Sequence, residues 1–419
     1  MTTRFPSKTA VVLGGGGLKG FAHIGVLRAL EEEGVQPALY AGTSIGSLVA
    51  AARVSGTSVD ELERRARALR RRDLFRLNHV GMLLERMHSP SLYLEQPLRT
   101  LCEENIPAGT FESLPVPLLV NTVDLAQGTL VAWGLPGLRD VEVRDAVYAS
   151  CALPGFFPPG VVNGRVCVDG GTIDNLPVTL AAPDMDLVIA VDVGSSDLSP
   201  VEDVASSGFA AIYMRAATVM MHALQTKQLE SWRGPPLLLI RPRIADHHWF
   251  SFESASEFIA AGYEAARHVL AEFEPVWPQR DLIYPRRRVE ITVDDDACIG
   301  CTTCVALAPE LMAMSRRGKA YPLVPVQEWS PADGEFVQHC PTRAILARDL
   351  DSTGRGSTAP AREPTVRTRT PEPAAPRVRA PASATRRKTP VKPRADGDRQ
   401  ASGNGNGGEP ARKHDPTHN

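Results

Sequence analysis

Gly42-Thr43-Ser44-Ile45-Gly46 lies between a short apolar run, residues 37–41, and a helix-like run, residues 47–53. A strand, a sharp turn with a serine flanked by glycines, and then a helix is the context of a nucleophile elbow. The glycines are needed because the turn is tight and a Cβ would clash there. The serine is presented at a helix N-terminus, where backbone N–H groups favour developing negative charge. Taken alone, the pentapeptide is common, and a serine capping a helix explains it as well.

It does not stand alone. Thr9–Leu13 reads as a buried strand running into Gly14-Gly15-Gly16-Gly17-Leu18-Lys19-Gly20, and residues 21–33 carry a helical stripe of Phe21, Ile24, Leu27 and Leu30. Four consecutive glycines expose unobstructed N–H groups, suited to a phosphate or an oxyanion. Gly15, Gly17 and Gly20 also satisfy the dinucleotide fingerprint, which expects an acidic residue about 20 positions on, at the end of the second strand. That strand ends instead in Ala41-Gly42-Thr43-Ser44, which favours an oxyanion loop. Further along, Val166-Cys167-Val168 runs into Asp169-Gly170-Gly171. By itself Asp-Gly-Gly is a turn; beside Ser44 it supplies a carboxylate base for a hydroxyl nucleophile.

With these residues in place, the chain resembles the patatin-like phospholipase family over roughly residues 8–280. The resemblance rests on residues 15–20, 42–46 and 169–171, supported by residues 22–27, by Ala149-Ser150-Cys151-Ala152-Leu153-Pro154-Gly155-Phe156-Phe157-Pro158-Pro159 and by residues 189–193. It resembles in particular the bacterial members related to the neuropathy target esterase type. It implies a three-layer α/β/α sandwich, a Ser–Asp dyad and hydrolysis of acyl esters, commonly of phospholipids or lysophospholipids. Carried over by position, Ser44 is the nucleophile, Asp169 its base, and Gly15, Gly16 and Gly17 the oxyanion loop, with the N–H of Ile45 as a further donor. Lys19 stands where many members have arginine and is expected to serve the loop's structure. A Ser–Asp–His triad is the rival, since His222, His247 and His248 follow Asp169 in chain order. Against it, the elbow follows a single strand and the glycine loop directly.

Seven cysteines occur, and four form a pattern: Cys298, Cys301, Cys304 and then Cys340 before Pro341. A close triplet wraps a loop around one cluster, and a distant cysteine before proline closes the cage. Zinc and disulfides are the alternatives, but zinc sites favour C-x-x-C pairs, and disulfides are rare in a reducing cytosol. Where two-cluster ferredoxins carry a further cysteine, this chain has Ala308, followed by Pro309. Residues 286–350 thus resemble the single-cluster bacterial ferredoxins. The resemblance implies a small α+β fold and one [4Fe–4S] cluster held by Cys298, Cys301, Cys304 and Cys340. Strands are expected over 289–293, 319–323 and 344–347, and helices over 304–312 and 331–339. Residues 294–296 are an acidic run, a solvated turn or a docking surface. Cys102, Cys151 and Cys167 read as buried core thiols.

The expected organisation is a patatin-like domain at 1–285, a ferredoxin-like domain at 286–350 and a disordered tail at 351–419. The tail carries 14 Lys/Arg against 7 Asp/Glu, a net +7, which leaves −9 on the remainder of a chain totalling −2. Its Pro, Ala and Arg cannot bury enough apolar surface to offset chain entropy; its basic cluster at 386–394 suits a solvated tail or anionic lipid head groups. Residues 60–72 form an amphipathic helix with a basic face, and with residues 78–94 are expected to cover the site's lipid entrance. The first residues are polar and no apolar run reaches the ~18 residues of a membrane span. The expected location is cytoplasmic, with peripheral contact at the inner membrane surface. The expected partners are a lipid or acyl-ester substrate and a redox protein, with no nucleic acid. The alternative is an electron-transfer protein whose N-terminal half binds a nucleotide or flavin, or is an inactive scaffold.

Overall fold

The computed structural model describes residues 4–78, 91–194, 208–244, 249–273 and 279–351. Nine strands build the main sheet: β1 (Thr9–Leu13), β2 (Leu39–Gly42), β3 (Leu118–Asp124), β4 (Thr129–Trp133), β5 (Gly160–Val162), β6 (Arg165–Asp169), β7 (Leu187–Val191), β8 (Leu237–Ile240) and β9 (Ile283–Tyr284). The spatial order is β5-β6-β3-β2-β1-β7-β8-β9, with β4 also on β3. The strands from β3 through β2, β1, β7 and β8 to β9 are parallel, whereas β4 and β6 run antiparallel to β3. β1, β2, β3, β7 and β8 are buried along their whole length, as parallel strands covered on both faces must be.

Among the described residues the seven longer helices are α1 (Ala22–Glu32), α2 (Ile45–Val54), α3 (Val59–Ala68), α4 (Glu95–Asn105), α5 (Val143–Cys151), α6 (Gly208–Glu230) and α7 (Ala255–Ala271). Alternate residues of β1 enter two separate cores. Val11 and Leu13 pack with α1, α2, α5 and α7, while Ala10 and Val12 pack with Leu176, Leu229 and Trp232 on the other face. This is the expected α/β/α arrangement, and it follows from the period of two along a strand.

Residues 60–72 are not one helix. α3 stops at Ala68, Leu69 and Arg70 are extended, and a helical turn restarts at Arg71–Leu74, where Asp73 accepts the Arg70 N–H at 2.9 Å. Nor is the face of α3 openly basic. Arg64 and Arg65 pair with Glu61, and Arg67 pairs with Glu63, as spacings of three and four residues allow. Residues 79–90 of the expected lipid entrance lie outside the described residues, as do His247, His248 and the tail beyond Asp351.

At the C-terminal end, β10 (Arg287–Val293) is flanked antiparallel by β13 (Val326–Trp329) and β14 (Ile345–Asp349), and β11 (Met312–Met314) pairs with β12 (Ala320–Pro322). Both predicted helices here are shorter than expected. The first is Thr303–Leu307, because Ala308 leaves the helical region (φ −139°, ψ 66°) ahead of Pro309. The second is Glu335–Gln338, entered from Gly334 at φ 92°. This region touches the main sheet: Arg241 bonds the carbonyl of Pro331 and also Asp192 (3.1 Å), and His222 of α6 faces Glu335 at 3.3 Å. Among the described residues, no helix is long and apolar enough to cross a membrane.

Candidate active site and cysteine loop

The order of strands reverses at β1: β2 lies on one side and β7 on the other. Open α/β sheets bind ligands outside the carboxyl ends of strands at such a switch point. The glycine loop leaves β1 there, and the elbow leaves the neighbouring β2.

Ser44 has φ 53° and ψ −129°, a left-handed conformation strained for a serine and seen where the fold over-determines it. The surroundings impose it. Gly46 packs so closely on β1 that a Cβ would stand 2.1 Å from the Leu13 carbonyl oxygen. The Ser44 N–H donates to the Ser150 hydroxyl at 2.9 Å, and the Thr43 hydroxyl donates to Asn121 at 2.7 Å.

Asp169 comes from an antiparallel strand. β3 runs on past the level of the elbow, and β6 returns along it with Asp169 opposite Thr122. That register brings the carboxylate back to Ser44, near enough that the serine hydroxyl favours its charged form. The Gly171 N–H donates to the same carboxylate at 2.8 Å. Asp169 is buried, and burial raises its pKa to about 6 despite these two donors. The end of α5 holds both partners, since Ser150 receives Ser44 and the Ala152 carbonyl receives the Asp169 N–H at 3.0 Å.

The three loop glycines differ in their contacts. The Gly15 N–H donates to the Asn175 carbonyl at 3.0 Å, and Asn175 donates back to the Gly15 carbonyl at 3.1 Å. A Cβ on Gly15 would lie 2.5 Å from Asn175 Oδ1 and 3.2 Å from Ser44 Cβ. Among the described residues, no backbone hydrogen bond takes the N–H of Gly16, Gly17 or Ile45. His23 faces the Gly14 carbonyl at 2.8 Å, and burial lowers its pKa to about 4, so this neutral ring braces the loop. Lys19 is buried.

Ser44 and Asp169 open into a cavity lined almost wholly by apolar side chains, most of them from α1 to α4. No histidine among the described residues lines it; His222 faces Glu335 instead. Cys151 belongs to this wall and is only partly buried, whereas Cys102 and Cys167 are core thiols as expected. Ser150, Asn121 and Asn175 had no signal of their own in the sequence. Ser150 lies within the 149–159 stretch that supported the resemblance, and the two asparagines act through long-range pairs only the fold creates.

The four cysteines 298, 301, 304 and 340 line one small cavity. Among the described residues, no three His, Cys, Asp or Glu side chains converge on a single metal ion. A cubane cluster does not ask for that, because each thiolate binds a different iron. Burial raises the pKa of Cys304, whereas donors around Cys301 and Cys340 favour the thiolate. Burial opposes ionisation of Cys340, but N–H groups including that of Ala344, 3.3 Å from Sγ, lower its pKa overall. Hydrogen bonds from Thr303 lower that of Cys301. Lys319 pins the loop by donating to the carbonyls of Cys298 (2.6 Å) and Asp295 (2.7 Å).

Residues 11–182 match the patatin-like phospholipase family model, and residues 291–347 match the 4Fe-4S single cluster domain. The chain is 33% identical over 197 residues to an uncharacterized NTE family protein of Mycobacterium tuberculosis, covering 47% of this chain and 52% of that one. It is 35% identical over 194 residues to patatin-like phospholipase domain-containing protein 6 of Homo sapiens (45% and 13% covered). It is 36% identical over 200 residues to lysophospholipase NTE1 of Mycosarcoma maydis (45% and 10% covered). The match thus spans about half the length of the mycobacterial relative and less of the others. Among solved structures, VipD of Legionella pneumophila superposes with a TM-score of 0.37 and 15% identity over 66% of this chain and 68% of that one. The chain therefore carries a patatin-like phospholipase domain with relatives in the NTE family, followed by a 4Fe-4S single cluster domain.

Proposed function

We propose that the chain is a serine acyl-ester hydrolase acting on phospholipids or lysophospholipids. The observation that carries this is Ser44, held at a positive φ of 53°, beside a buried Asp169 with a pKa raised to about 6, both lining an apolar cavity. Asp169 is ionised at neutral pH yet basic enough to take a proton. Ser44 Oγ attacks the ester carbonyl as its proton passes to Asp169. The tetrahedral oxyanion is held by the N–H groups of Gly16, Gly17 and Ile45 at the start of α2; Gly15 acts by packing against Ser44. Collapse expels the alcohol, which takes the proton from Asp169. A water then gives its proton to Asp169 and its oxygen to the acyl group, and the fatty acid leaves with Ser44 restored. The lipid is reached by peripheral contact with a membrane surface.

The second domain holds one [4Fe–4S] cluster through Cys298, Cys301, Cys304 and Cys340. Bound there, the cluster supplies one-electron transfer, to a partner protein or as a redox sensor. The ester reaction itself needs no electrons.

The test is anaerobic ester hydrolysis on p-nitrophenyl acyl esters and a lysophospholipid, comparing wild type with Ser44→Ala and Asp169→Asn, with the visible spectrum recorded before and after reduction. Activity lost in both variants with the chromophore retained supports the reading. A reducible chromophore with no esterase activity on any substrate favours an electron-transfer protein instead.

A further inference from the structure

The peptides of the glycine loop are held unequally, and one side chain makes the difference. The peptide between Gly14 and Gly15 is fixed at both ends: its carbonyl faces His23 at 2.8 Å, and its N–H donates to the Asn175 carbonyl at 3.0 Å. The next peptide, between Gly15 and Gly16, has its carbonyl held by the Asn175 side-chain amide at 3.1 Å. A carbonyl can only accept, so the amide nitrogen and not its oxygen must face Gly15. The N–H of that same peptide is the Gly16 N–H, which no backbone acceptor takes among the described residues. A trans peptide is planar, with its C=O and N–H on opposite sides. Holding the Gly15 carbonyl therefore sets the direction of the Gly16 N–H.

That hold matters at this position. A peptide between two glycines turns over at little cost, because neither residue has a Cβ to forbid the alternative backbone angles. The Asn175 amide is buried and enclosed by glycines of three loops. A Cβ would stand 2.5 Å from its Oδ1 at Gly15, 2.8 Å from the same atom at Gly171 and 2.9 Å from its Nδ2 at Gly194. These glycines follow β1, β6 and β7, so the oxyanion loop, the Asp169 loop and the loop after β7 close on a single side chain. Gly194 also packs on the Gly15 carbonyl oxygen, which would lie 2.1 Å from a Cβ there. The chain on either side of Asn175 is fixed as well. The Asp174 carbonyl accepts from Asn121 Nδ2 at 2.7 Å, and Leu176 is fully buried.

We propose that Asn175 is a positioning residue for the oxyanion hole: by holding the Gly15 carbonyl it aims the Gly16 N–H at the tetrahedral intermediate. The inference rests on the hydrolase reading above. The ester oxygen becomes anionic as Ser44 attacks, and a donor oriented beforehand has no reorganisation left to undergo at that moment. The bond from Asn175 also polarises the peptide, which strengthens its N–H as a donor. Asn175 acts through Gly16, so its removal is felt in the transition state and little in the bound ester.

The experiment compares p-nitrophenyl oxoesters with the matching thionoesters, in which sulfur replaces the carbonyl oxygen and accepts hydrogen bonds poorly. The ratio of kcat/KM between the two is read within each variant, which cancels any difference in folded fraction. Asn175→Ala, and Asn175→Asp, which keeps the shape but loses the amide donor, should lower kcat on the oxoester by about 10²-fold with KM within about threefold. The oxoester/thionoester ratio should fall by about tenfold or more. An alkyl trifluoromethyl ketone, which adds Ser44 and places an oxyanion in the hole without turnover, should bind more weakly by a similar factor, while the fatty-acid product binds as in wild type. An unchanged oxoester/thionoester ratio in Asn175→Ala, or unweakened ketone binding, overturns the positioning role while leaving the hydrolase intact. Failure of wild type to hydrolyse any ester overturns the hydrolase reading and this inference with it.

Discussion

The elbow region and the cysteine loop carry their functional residues in opposite ways. Ser44 and Asp169 lie far apart in the chain and meet because β2, β3 and β6 share a register. Their geometry is fixed by a large buried core and by backbone contacts too close for any side chain, as at Gly46. Three of the four cysteines lie within seven residues, on a loop over a core of few side chains such as Val289, Ile291, Trp329 and Phe336. A small core supplies little stability, and a bound metal group is the usual staple. The first site is therefore made by the fold, and the second is expected to help make its own fold.

The sharpest break between the two comes from changing one without the other. Ser44→Ala and Asp169→Asn should each lower kcat/KM for esters by about 10³-fold or more, with the visible absorption and iron content unchanged. Conversely, Cys298→Ser or Cys340→Ser should take iron from about four per chain toward zero. Hydrolysis should stay within about twofold, and proteolysis should speed up first within residues 286–350. Loss of hydrolysis in the cysteine variants would show that the two regions are coupled through contacts such as Arg241–Pro331 and His222–Glu335.

Smaller effects sharpen the account of the elbow. Gly15→Ala drives a Cβ onto Asn175 and Ser44 and should cost about 10²-fold in kcat/KM. Ser150→Ala removes the acceptor of the Ser44 N–H and should cost about tenfold, measured on the same ester. The pH profile of kcat/KM should rise through an apparent pKa near 6 to a plateau as Asp169 ionises. The same shift has a stability consequence. A carboxyl whose pKa is raised in the folded chain contributes fully below its unfolded pKa near 4, and that contribution is lost as pH rises through about 6. Asp169→Asn, neutral throughout, should raise Tm by roughly 2–6 °C at pH 8 and by little below pH 5. No pH-dependent difference would mean the carboxylate is better solvated than its burial indicates.

Much of this molecule is written locally. The strand at Thr9–Leu13, the glycine loop, the elbow and the 298–304 cysteine spacing are each legible because a short stretch of chain sets its own conformation through periodicity, glycine and ligand spacing. Helix ends were harder. Continuing periodicity in 60–72 and 304–312 conceals a break at Leu69 and a non-helical residue before Pro309, since capping and pre-proline sterics override an apolar stripe. The tertiary structure alone decided that Asp169 reaches Ser44 from an antiparallel strand, and that Ser150, Asn121 and Asn175 brace the pair. It also decided that the Gly15 N–H is spent on Asn175 while those of Gly16 and Gly17 have no such partner among the described residues. These are pairings between residues far apart in sequence, and they depend on sheet register, where a shift of one residue turns every side chain to the other face.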